Sequence, residues 1–271
     1  MAKIRQEIDM TKNRIENNDL VLICHRDKKY LKRVEEGKAF NGKGGTLSFS
    51  ELVGNPFGKR YSGYEVYRPT LEDIIMFGVK RDTQIIYPKD AAFICMKMDI
   101  KYGSYLLEVG TGSGALTIML SSFIGPEGRI VTIEKEERHF RNAKKNIERF
   151  CLNKNIEVIN CHVSEYSGSG FDAVFVDVRE PWLYTDNIWG FAKESGLIGM
   201  IVPTTNQISE ILRAFDTHGG FGDTEVVEIL LRRYKTVSER IRPFDRMVAH
   251  TGYLIFTRKL LGPTSPVPAT A

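Results

Sequence analysis

Hydrophobic and polar positions change their spacing along the chain, and these changes divide it into three parts. In the first part, short apolar runs such as Leu20–Cys24 and Tyr64–Tyr67 alternate with glycine-containing turns, a pattern typical of short β-strands. Further on, apolar strand-like runs alternate with segments of helical period. We therefore predict a small β-rich domain over 1–67, an α/β domain over 68–260 and a disordered Pro/Ser/Thr-rich tail over 261–271.

The rhythm of the second part predicts a Rossmann-like parallel sheet covered by helices on both faces. Its predicted strands are Arg129–Glu134, Ile156–Ile159, Phe171–Asp177 and Gly196–Val202, and its predicted helices are Glu136–Phe150, Trp189–Lys193 and Gln207–Phe215. The end departs from this rhythm, because Glu225–Arg232 and Met247–Thr257 are predicted as strands joined by a basic loop without a helix. The predicted terminal antiparallel hairpin on a parallel sheet resembles the arrangement of class I S-adenosylmethionine methyltransferases.

The segment Tyr105–Leu120, YLLEVGTGSGALTIML, is predicted to be a buried strand, a glycine-rich turn over 110–114 and an apolar helix beginning near Ala115. Glycines let the backbone turn tightly and approach a ligand that side chains would exclude. A nucleotide-like cofactor could then face the unpaired N–H groups of the helix N-terminus. The turn alone does not name the cofactor, since Gly110, Gly112 and Ala115 also match the dinucleotide pattern G-x-G-x-x-A.

Three carboxylates belong to the predicted strands of this sheet. Glu134 and Asp177 each end a strand, and ligands of parallel sheets bind at the carboxyl ends of the strands. Glu134 could accept hydrogen bonds from ribose hydroxyls, and Asp177 could accept one from an exocyclic amine and act in catalysis. Glu108, inside its strand, would be costly to bury alone, so we expect it to face the cofactor's amino group or to bond to loop N–H groups. Solvent-facing or turn-capping carboxylates are the structural alternatives.

Composition excludes several classes of protein. The sequence is 42% hydrophobic and 27% charged, as in ordinary globular proteins, and has neither an apolar run of about 20 residues nor a signal-peptide core at its N-terminus. The four cysteines show no C-x-x-C spacing, so neither a zinc site nor a disulfide framework is indicated. We expect a cytoplasmic protein with free thiols and no metal.

Charge is distributed unevenly. Residues 1–70 contain 14 Lys and Arg against 9 Asp and Glu, and residues 228–259 contain 8 against 3, although the whole chain is only +4. Basic ends on an acidic middle suit a phosphate-rich macromolecule, with an ordinary solvated surface as the alternative. The candidate RNA contacts in the first domain are Lys28, Lys29, Tyr30, Lys32, Arg33, Lys59, Arg60 and Tyr61.

In the order and spacing of its motifs, the chain resembles the tRNA (adenine-N1)-methyltransferases that modify adenosine 58 of the T loop, and in archaea sometimes adenosine 57. The resemblance covers roughly residues 50 to 260. The segments that carry it are RPTLEDII, KRDTQIIYPKDAA, LLEVGTGSGALT, DVREPW, VPTTNQI and RPFDRMVAHTGYLIFTRK.

The resemblance implies S-adenosylmethionine as cofactor, tRNA as partner and a homotetramer. Together with the residue patterns, it indicates three sets of site residues. The cofactor set is Gln84, Glu108, Gly110, Gly112, Ser113, Gly114, Glu134 and His162; the substrate set is Tyr87, Trp182 and His250; and Asp177 is the catalytic residue. His162 stands where the family usually has an Asp that contacts the cofactor's adenine, and His250 could instead be a satisfied turn residue.

Three rival functions follow from the same residues. A non-catalytic tRNA-binding subunit would keep the fold without the chemistry, and the intact glycine turn with Glu134 and Asp177 argues against it. A methyltransferase for a small molecule or protein would share the turn but would not need a basic first domain. An NAD dehydrogenase would have no use for the terminal hairpin or the DVREPW segment.

Overall fold

The structure, a computed structural model, describes residues 13–151 and 155–262. It divides into two compact units, 1–79 and 80–271. The predicted tail falls almost entirely outside the described residues. The sequence pattern predicted a domain boundary after residue 67, whereas the structural division follows one helix later. That helix packs within the first unit, where Asp73 lies 3.5 Å from Lys29.

The first unit is built from antiparallel strands. Its elements are β1 (Leu20–His25), β2 (Lys28–Arg33), β3 (Ala39–Gly42), β4 (Gly45–Ser48), β5 (Lys59–Tyr61), β6 (Tyr64–Tyr67) and α1 (Leu71–Phe77). One sheet has the order β2-β1-β6-β5, and β3 pairs with β4 as a separate hairpin. Both contribute to a single core around Tyr64, whose hydroxyl donates to the carbonyl of Gly45 at 2.8 Å.

Two aromatic residues proposed as RNA contacts have structural roles in this unit. Tyr61 is 8% exposed and donates its hydroxyl to the carbonyl of Pro56 at 2.6 Å. The half-buried Tyr30 ring packs on Phe40 with centroids 4.9 Å apart. Both rings therefore contribute to the small core of this unit.

The second unit is an α/β sheet. Its elements in chain order are α2 (Pro88–Lys97), β7 (Tyr105–Val109), α3 (Ala115–Ile124), β8 (Arg129–Glu134), α4 (Glu137–Phe150), β9 (Ile156–Asn160), β10 (Phe171–Val176), α5 (Thr185–Phe191), β11 (Ala192–Val202), α6 (Thr205–His218), β12 (Phe221–Val227), β13 (Tyr234–Lys235), β14 (Arg242–Pro243) and β15 (Tyr253–Lys259). The seven-stranded sheet has the order β12-β15-β11-β10-β7-β8-β9. Its strands are parallel except β15, which runs antiparallel to both of its neighbours. The predicted fold class is therefore confirmed.

Three predicted elements were displaced by tertiary pairing. The helix predicted at Trp189–Lys193 is Thr185–Phe191, because Ala192 already pairs with the neighbouring strand β10. The strand predicted at Glu225–Arg232 ends at Val227, where its pairing with β15 ends. The strand predicted at Met247–Thr257 begins only at Tyr253. Gly252, with φ +150°, bends the chain there, and a Cβ on it would lie 2.7 Å from Ile201.

Residues 228–251 leave the sheet after β12 and return at β15, and we call this segment the arm. Both of its ends are fastened to α2. The Nζ of Lys89 donates to the carbonyl of Ile229 and to the hydroxyl of Thr251, each at 2.6 Å. Lys89 also lies 2.7 Å from the Asp90 carboxylate, which accepts from Thr251 at 2.7 Å. This buried network holds the two ends of the arm together.

No helix in residues 13–151 and 155–262 is long and apolar enough to cross a membrane. All four cysteines are free thiols. Cys24 and Cys95 are buried, and Cys151 and Cys161 are half-buried.

Candidate active site

The turn after β7 has a backbone that only glycine adopts readily. Gly110 has φ +95°, and a Cβ on it would lie 2.1 Å from the carbonyl oxygen of Asp177. The two strand ends approach so closely because Asp177 N–H donates to the carbonyl of Val109 at 2.8 Å. Gly110 N–H donates in turn to Ile133 on the other neighbouring strand at 2.9 Å. The glycine therefore lets the ends of β7, β8 and β10 meet around one point.

Glu134 closes the turn from the side of β8. Its Oε2 accepts from Gly112 N–H at 2.9 Å, and its Oε1 accepts from Glu136 N–H at 3.0 Å. The side chain is nearly buried, at 7% exposed, and Asn160 holds its backbone carbonyl at 2.7 Å. The carboxylate is thus fixed in one orientation at the strand end that the sequence predicted.

Glu108 lies on the floor of the site and is 1% exposed. Its Oε2 accepts from the hydroxyls of Thr117, at 2.5 Å, and Thr132, at 2.8 Å. These threonine hydroxyls are the partners observed, rather than the loop N–H groups considered from the sequence. Burial raises the pKa of Glu108 to about 8, so the group is mostly protonated at neutral pH.

Asp177 follows directly after β10. Its side chain is accessible from the open cleft, but protein surrounds the cleft on most sides. This desolvation and the nearby Glu134 carboxylate raise the pKa of Asp177 to about 6. A carboxylate with such a pKa remains largely ionised above neutral pH and can accept a hydrogen bond from a ligand.

These groups line one cleft of about 670 Å³, a volume suited to a cofactor-sized ligand. Of the residues predicted to form the site, those that line it are Gln84, Glu108, Gly110, Gly112, Ser113, Glu134, His162 and Asp177. The cleft therefore brings together most of the predicted cofactor set and the predicted catalytic residue.

Four predicted residues are not among those that line the cleft. Gly114 supports the turn from behind, since a Cβ there would lie 3.1 Å from Ile147. Tyr87 is the residue before the first turn of α2, and Trp182 packs against the core of the sheet. His250 has both ring nitrogens bonded, to Glu228 and to the carbonyl of Pro203, each at 2.8 Å.

His162, which departs from the usual Asp, lies at the rim and is held by neighbours. Its Nδ1 lies 2.8 Å from the Ser164 hydroxyl, and its Nε2 lies 3.2 Å from the Tyr184 hydroxyl. The rings of His162 and Tyr184 meet edge to face with centroids 5.2 Å apart. The histidine and tyrosine together form one wall of the cleft, where a planar group could lie.

Several residues that line the cleft are not among the predicted site residues, for example Thr83, His139, Tyr184 and Thr251. Thr83 and Thr251 belong to segments that carried the resemblance, so their motif membership was the available signal. Tyr184 follows the DVREPW segment and had no signal of its own. Within the described residues, the Thr83 hydroxyl is a buried polar atom without a hydrogen-bond partner, and it faces the glycine turn 3.3 Å from a Cβ placed on Gly112.

The cleft fits a nucleoside cofactor with polar substituents. A side chain at Gly110 or Gly112 would crowd Asp177 or Thr83, so the turn presents only backbone to a ligand. Glu134 offers a carboxylate that can accept hydrogen bonds from hydroxyls. The unpartnered Thr83 hydroxyl is poised for a polar group of a ligand. Within residues 13–151 and 155–262, no group of three or more His, Cys, Asp or Glu is arranged to hold a metal ion.

Two proteins with similar sequences are named as tRNA methyltransferases. The chain is 28% identical over 247 residues to tRNA (adenine(58)-N(1))-methyltransferase TrmI of Thermus thermophilus, covering 89% of this chain and 96% of that protein. It is 27% identical over 269 residues to the Methanocaldococcus jannaschii tRNA (adenine(57)-N(1)/adenine(58)-N(1))-methyltransferase TrmI, covering 88% of this chain and 94% of that protein.

Solved structures agree with the fold. The crystal structure of tRNA (m1A58) methyltransferase TrmI from Aquifex aeolicus has a TM-score of 0.85 at 42% identity, covering 92% of this chain and all of that one. A Thermotoga maritima structure described as an SAM-dependent O-methyltransferase has a TM-score of 0.87 at 33% identity, covering 96% of this chain and all of that one. The fold is therefore that of class I S-adenosylmethionine methyltransferases.

Residues 65–245 match the family described as tRNA methyltransferase complex GCD14 subunit. That match spans the glycine turn, Glu134 and Asp177, so the family's region of similarity contains the chemistry of the cleft. The chain belongs to the tRNA methyltransferase complex GCD14 subunit family.

Proposed function

We propose that this protein transfers a methyl group from S-adenosylmethionine to N1 of adenine in the T loop of tRNA, at adenosine 58 or at adenosines 57 and 58. The observation that carries the proposal is the convergence of Asp177, Glu134 and the glycine turn in one cleft of a chain from this family. The relatives from T. thermophilus and M. jannaschii carry these two target specificities in their names.

The proposed cofactor contacts are the eight residues of the predicted set. Glu134 would accept from the ribose hydroxyls, because each of its carboxylate oxygens accepts one loop N–H and can accept a second donor. The glycine turn would give close backbone approach, with Gly114 supporting it from behind. Gln84 and Ser113 would bind polar groups, His162 would contact the adenine edge, and protonated Glu108 would donate toward the cleft. When bound, S-adenosylmethionine supplies the activated methyl group.

Asp177 is the proposed catalytic residue. Its ionised carboxylate would accept a hydrogen bond from the exocyclic amine of the target adenine. That bond increases electron density on the neighbouring ring nitrogen and offsets the positive charge that methylation creates there. The reaction needs no covalent bond between enzyme and base, because N1 of adenine is itself the nucleophile. A base from a folded T loop must first be extracted, at a cost of a few kcal/mol.

The proposal also includes substrate roles for Tyr87, Trp182 and His250, none of which lines the cleft directly. Tyr87 is half-buried at the start of α2, close in sequence to Gln84 on the cleft wall. His250 acts through its bond to Pro203, a residue of the cleft wall, rather than by facing the cleft. Trp182 would support the turn after β10 that carries Asp177, since it packs on the core beneath.

We also propose a homotetramer that acts on tRNA in the cytoplasm. The arm carries large apolar side chains that are exposed in the single chain, and burying them against another copy would stabilise an assembly. They are Leu230, Leu231, Tyr234, Val237, Ile241, Phe244 and Val248. Light scattering on Ile241→Lys, a residue that is 71% exposed, should show a smaller assembly than the wild type. A wild-type monomer would contradict the proposal.

The experiment that tests the function is methylation of an unmodified tRNA transcript with labelled S-adenosylmethionine, with wild type beside Asp177→Ala. We expect methyl transfer to N1 of a T-loop adenine in the wild type and a rate at least about a hundredfold lower in the variant. Positioned acid–base side chains and electrostatic stabilisation each typically contribute about that much to a rate. A matched control is Asp186→Ala, because that carboxylate is exposed on α5 outside the cleft.

Other outcomes distinguish the rivals. Cofactor binding without transfer to tRNA would indicate another acceptor, such as an oxygen atom, as in the name of the T. maritima structure. tRNA binding without cofactor binding would indicate a non-catalytic subunit. Either result would overturn the proposed function.

A further inference from the structure

A second groove, of about 670 Å³, lies between α4 and the segment 80–82. Five cationic side chains line it, against two anionic ones, Asp82 and Glu137. The cations are Lys80, Arg138, Arg141, Lys145 and Arg149. This concentration of positive charge occurs in the middle of the chain, which carries a net negative charge when residues 1–70 and 228–259 are set aside.

Four of the cations form a stripe along one helix. Arg138, Arg141, Lys145 and Arg149 are spaced three or four residues apart on α4, so they project from one face. Successive positions are about 4.5–6 Å apart along the axis at 1.5 Å per residue. That interval is comparable with the spacing of successive phosphates along a nucleic-acid strand.

Most of this charge is not neutralised within the groove. Arg141 pairs with Glu137 one turn away, and Arg138 lies 3.7 Å from Asp82. In the described part of the chain, Lys80, Lys145 and Arg149 have no carboxylate within ion-pair distance. All three are exposed. They can therefore exchange solvent and counterions for the phosphates of a ligand.

The floor of the groove is rigid and connected to the glycine turn. The buried amide of Asn146 donates to the carbonyls of Lys80 and Ser113, each at 2.9 Å, and the amide of Asn142 donates to Lys80 at 2.8 Å. Asn146 Oδ1 also accepts from Lys80 N–H at 3.1 Å. Ser113 lines the cleft, so one asparagine side chain links the two concavities.

The groove and the cleft also share their walls along the chain. Thr83 and Gln84 on the cleft directly follow Asp82 on the groove, and His139 on the cleft directly follows Arg138 on the groove. An RNA with one base in the cleft, beside the cofactor, can thus continue onto the neighbouring side chains of the groove. We infer that the groove binds the phosphate backbone of the RNA whose base enters the cleft. This inference rests on the proposed function and adds a binding surface to it.

The test compares two double variants of the full chain that change the net charge equally. Lys145→Glu/Arg149→Glu reverses two groove cations. Lys144→Glu/Arg213→Glu reverses two exposed cations outside the groove, of which Lys144 lies on the same helix. Dissociation constants for an unmodified tRNA transcript are measured by anisotropy over a series of KCl concentrations, and those for S-adenosylmethionine by calorimetry.

We expect the groove variant to bind tRNA at least about tenfold more weakly near physiological salt and to lose roughly 1.4–1.8 from the slope of log K against log salt, as for two lost phosphate contacts. The control should lose much less, and cofactor binding should stay within about twofold in both, because free S-adenosylmethionine makes no use of the groove. Unchanged tRNA binding in the groove variant, or an equal loss in the control, would overturn the inference.

Wild-type activity separates this inference from the proposed function. If the wild type methylates tRNA and the groove variant behaves as the control does, only the groove is misassigned. If the wild type neither binds nor methylates tRNA, the proposed function fails and the inference fails with it. Binding of polyglutamate is measured for the same two variants. If the groove variant loses polyglutamate binding while its tRNA binding stays intact, the groove binds an acidic protein segment and the inference is overturned.

Discussion

Replacing Lys89 by Met should destabilise the second unit far more than the loss of an ordinary ion pair. The Lys89 side chain is 9% exposed, and its partner Asp90 is 1% exposed. Lys89 places its three donors on Asp90, Ile229 and Thr251, at 2.6 to 2.7 Å. Methionine has a similar length but no donors, so the variant leaves the Asp90 carboxylate buried with the Thr251 hydroxyl as its remaining side-chain partner.

Breaking a buried pair by removing one partner costs about 3–5 kcal/mol. We expect the lower half of that range, because Asp90 is in the first turn of α2, where the helix dipole favours a negative charge. For a unit of this size, even 3 kcal/mol lowers Tm by roughly 6–12 °C. The measurement is calorimetric unfolding of wild type and variant at the same pH and protein concentration.

The matched control is Lys193→Met. Lys193 pairs with Asp172, but the two side chains are 53% and 37% exposed, so the expected cost is about 0–1 kcal/mol. A second variant, Lys89→Met with Asp90→Leu, removes both buried charges and should recover most of the loss. A stability loss for Lys89→Met no larger than that for Lys193→Met, or a double variant as unstable as the single one, would contradict the role of the buried pair.

Three further predictions concern the cleft. Gly110→Ala should lower kcat/KM for tRNA by about a hundredfold, because the new Cβ would lie 2.1 Å from the Asp177 carbonyl oxygen and must displace that residue. The control is Gly190→Ala, where a Cβ meets nothing within 4 Å, and equal losses of kcat/KM in the two variants would contradict the steric cause. The free energy of unfolding should fall by up to about 1.4 kcal/mol per pH unit as pH rises from about 4.5 towards 8, because the folded state keeps a proton on Glu108 that the unfolded state has released. In denaturation curves measured over this pH range, Glu108→Gln should flatten the dependence, and an unchanged slope of unfolding free energy against pH would show that another group titrates. The kcat/KM of the wild type should rise with pH through about 6 and then level off as Asp177 ionises, and Asp177→Asn should lose this limb along with most activity; a limb that persists in the variant would belong to a different group.

Much of the site could be predicted because its signals are local. The glycine turn follows a strand within a few residues, and Glu134 and Asp177 end apolar runs of the correct length. The rule that parallel strands present their carboxyl ends to one edge then places these residues together. His162 could be located by its position after a strand, but its bonds to Ser164 and Tyr184 could not, because they depend on how the two turns pack.

The contacts and strand ends that were not predicted, or were predicted at other residues, depend on long-range contacts. Lys89 meets Thr251 across 162 positions of sequence, and neither residue type signals a partner at such a distance. The ends of β12 and β15 depend on their mutual pairing and on the bend at Gly252, so apolar periodicity alone extended both strands too far. The basic stripe of α4 was visible as charge, but the groove exists only because the segment 80–82 packs against that helix.

Local patterns were sufficient to predict the class of the fold, the glycine-rich turn and the carboxylates beside it, because hydrophobic period, turn chemistry and strand ends act over a few residues. Long-range contacts place β15 between β11 and β12, tie the arm to α2 through a buried ion pair, and put a cationic groove beside the cleft. Burial, desolvation and close packing arise between residues far apart in the chain, and their free energies are not written in any local pattern.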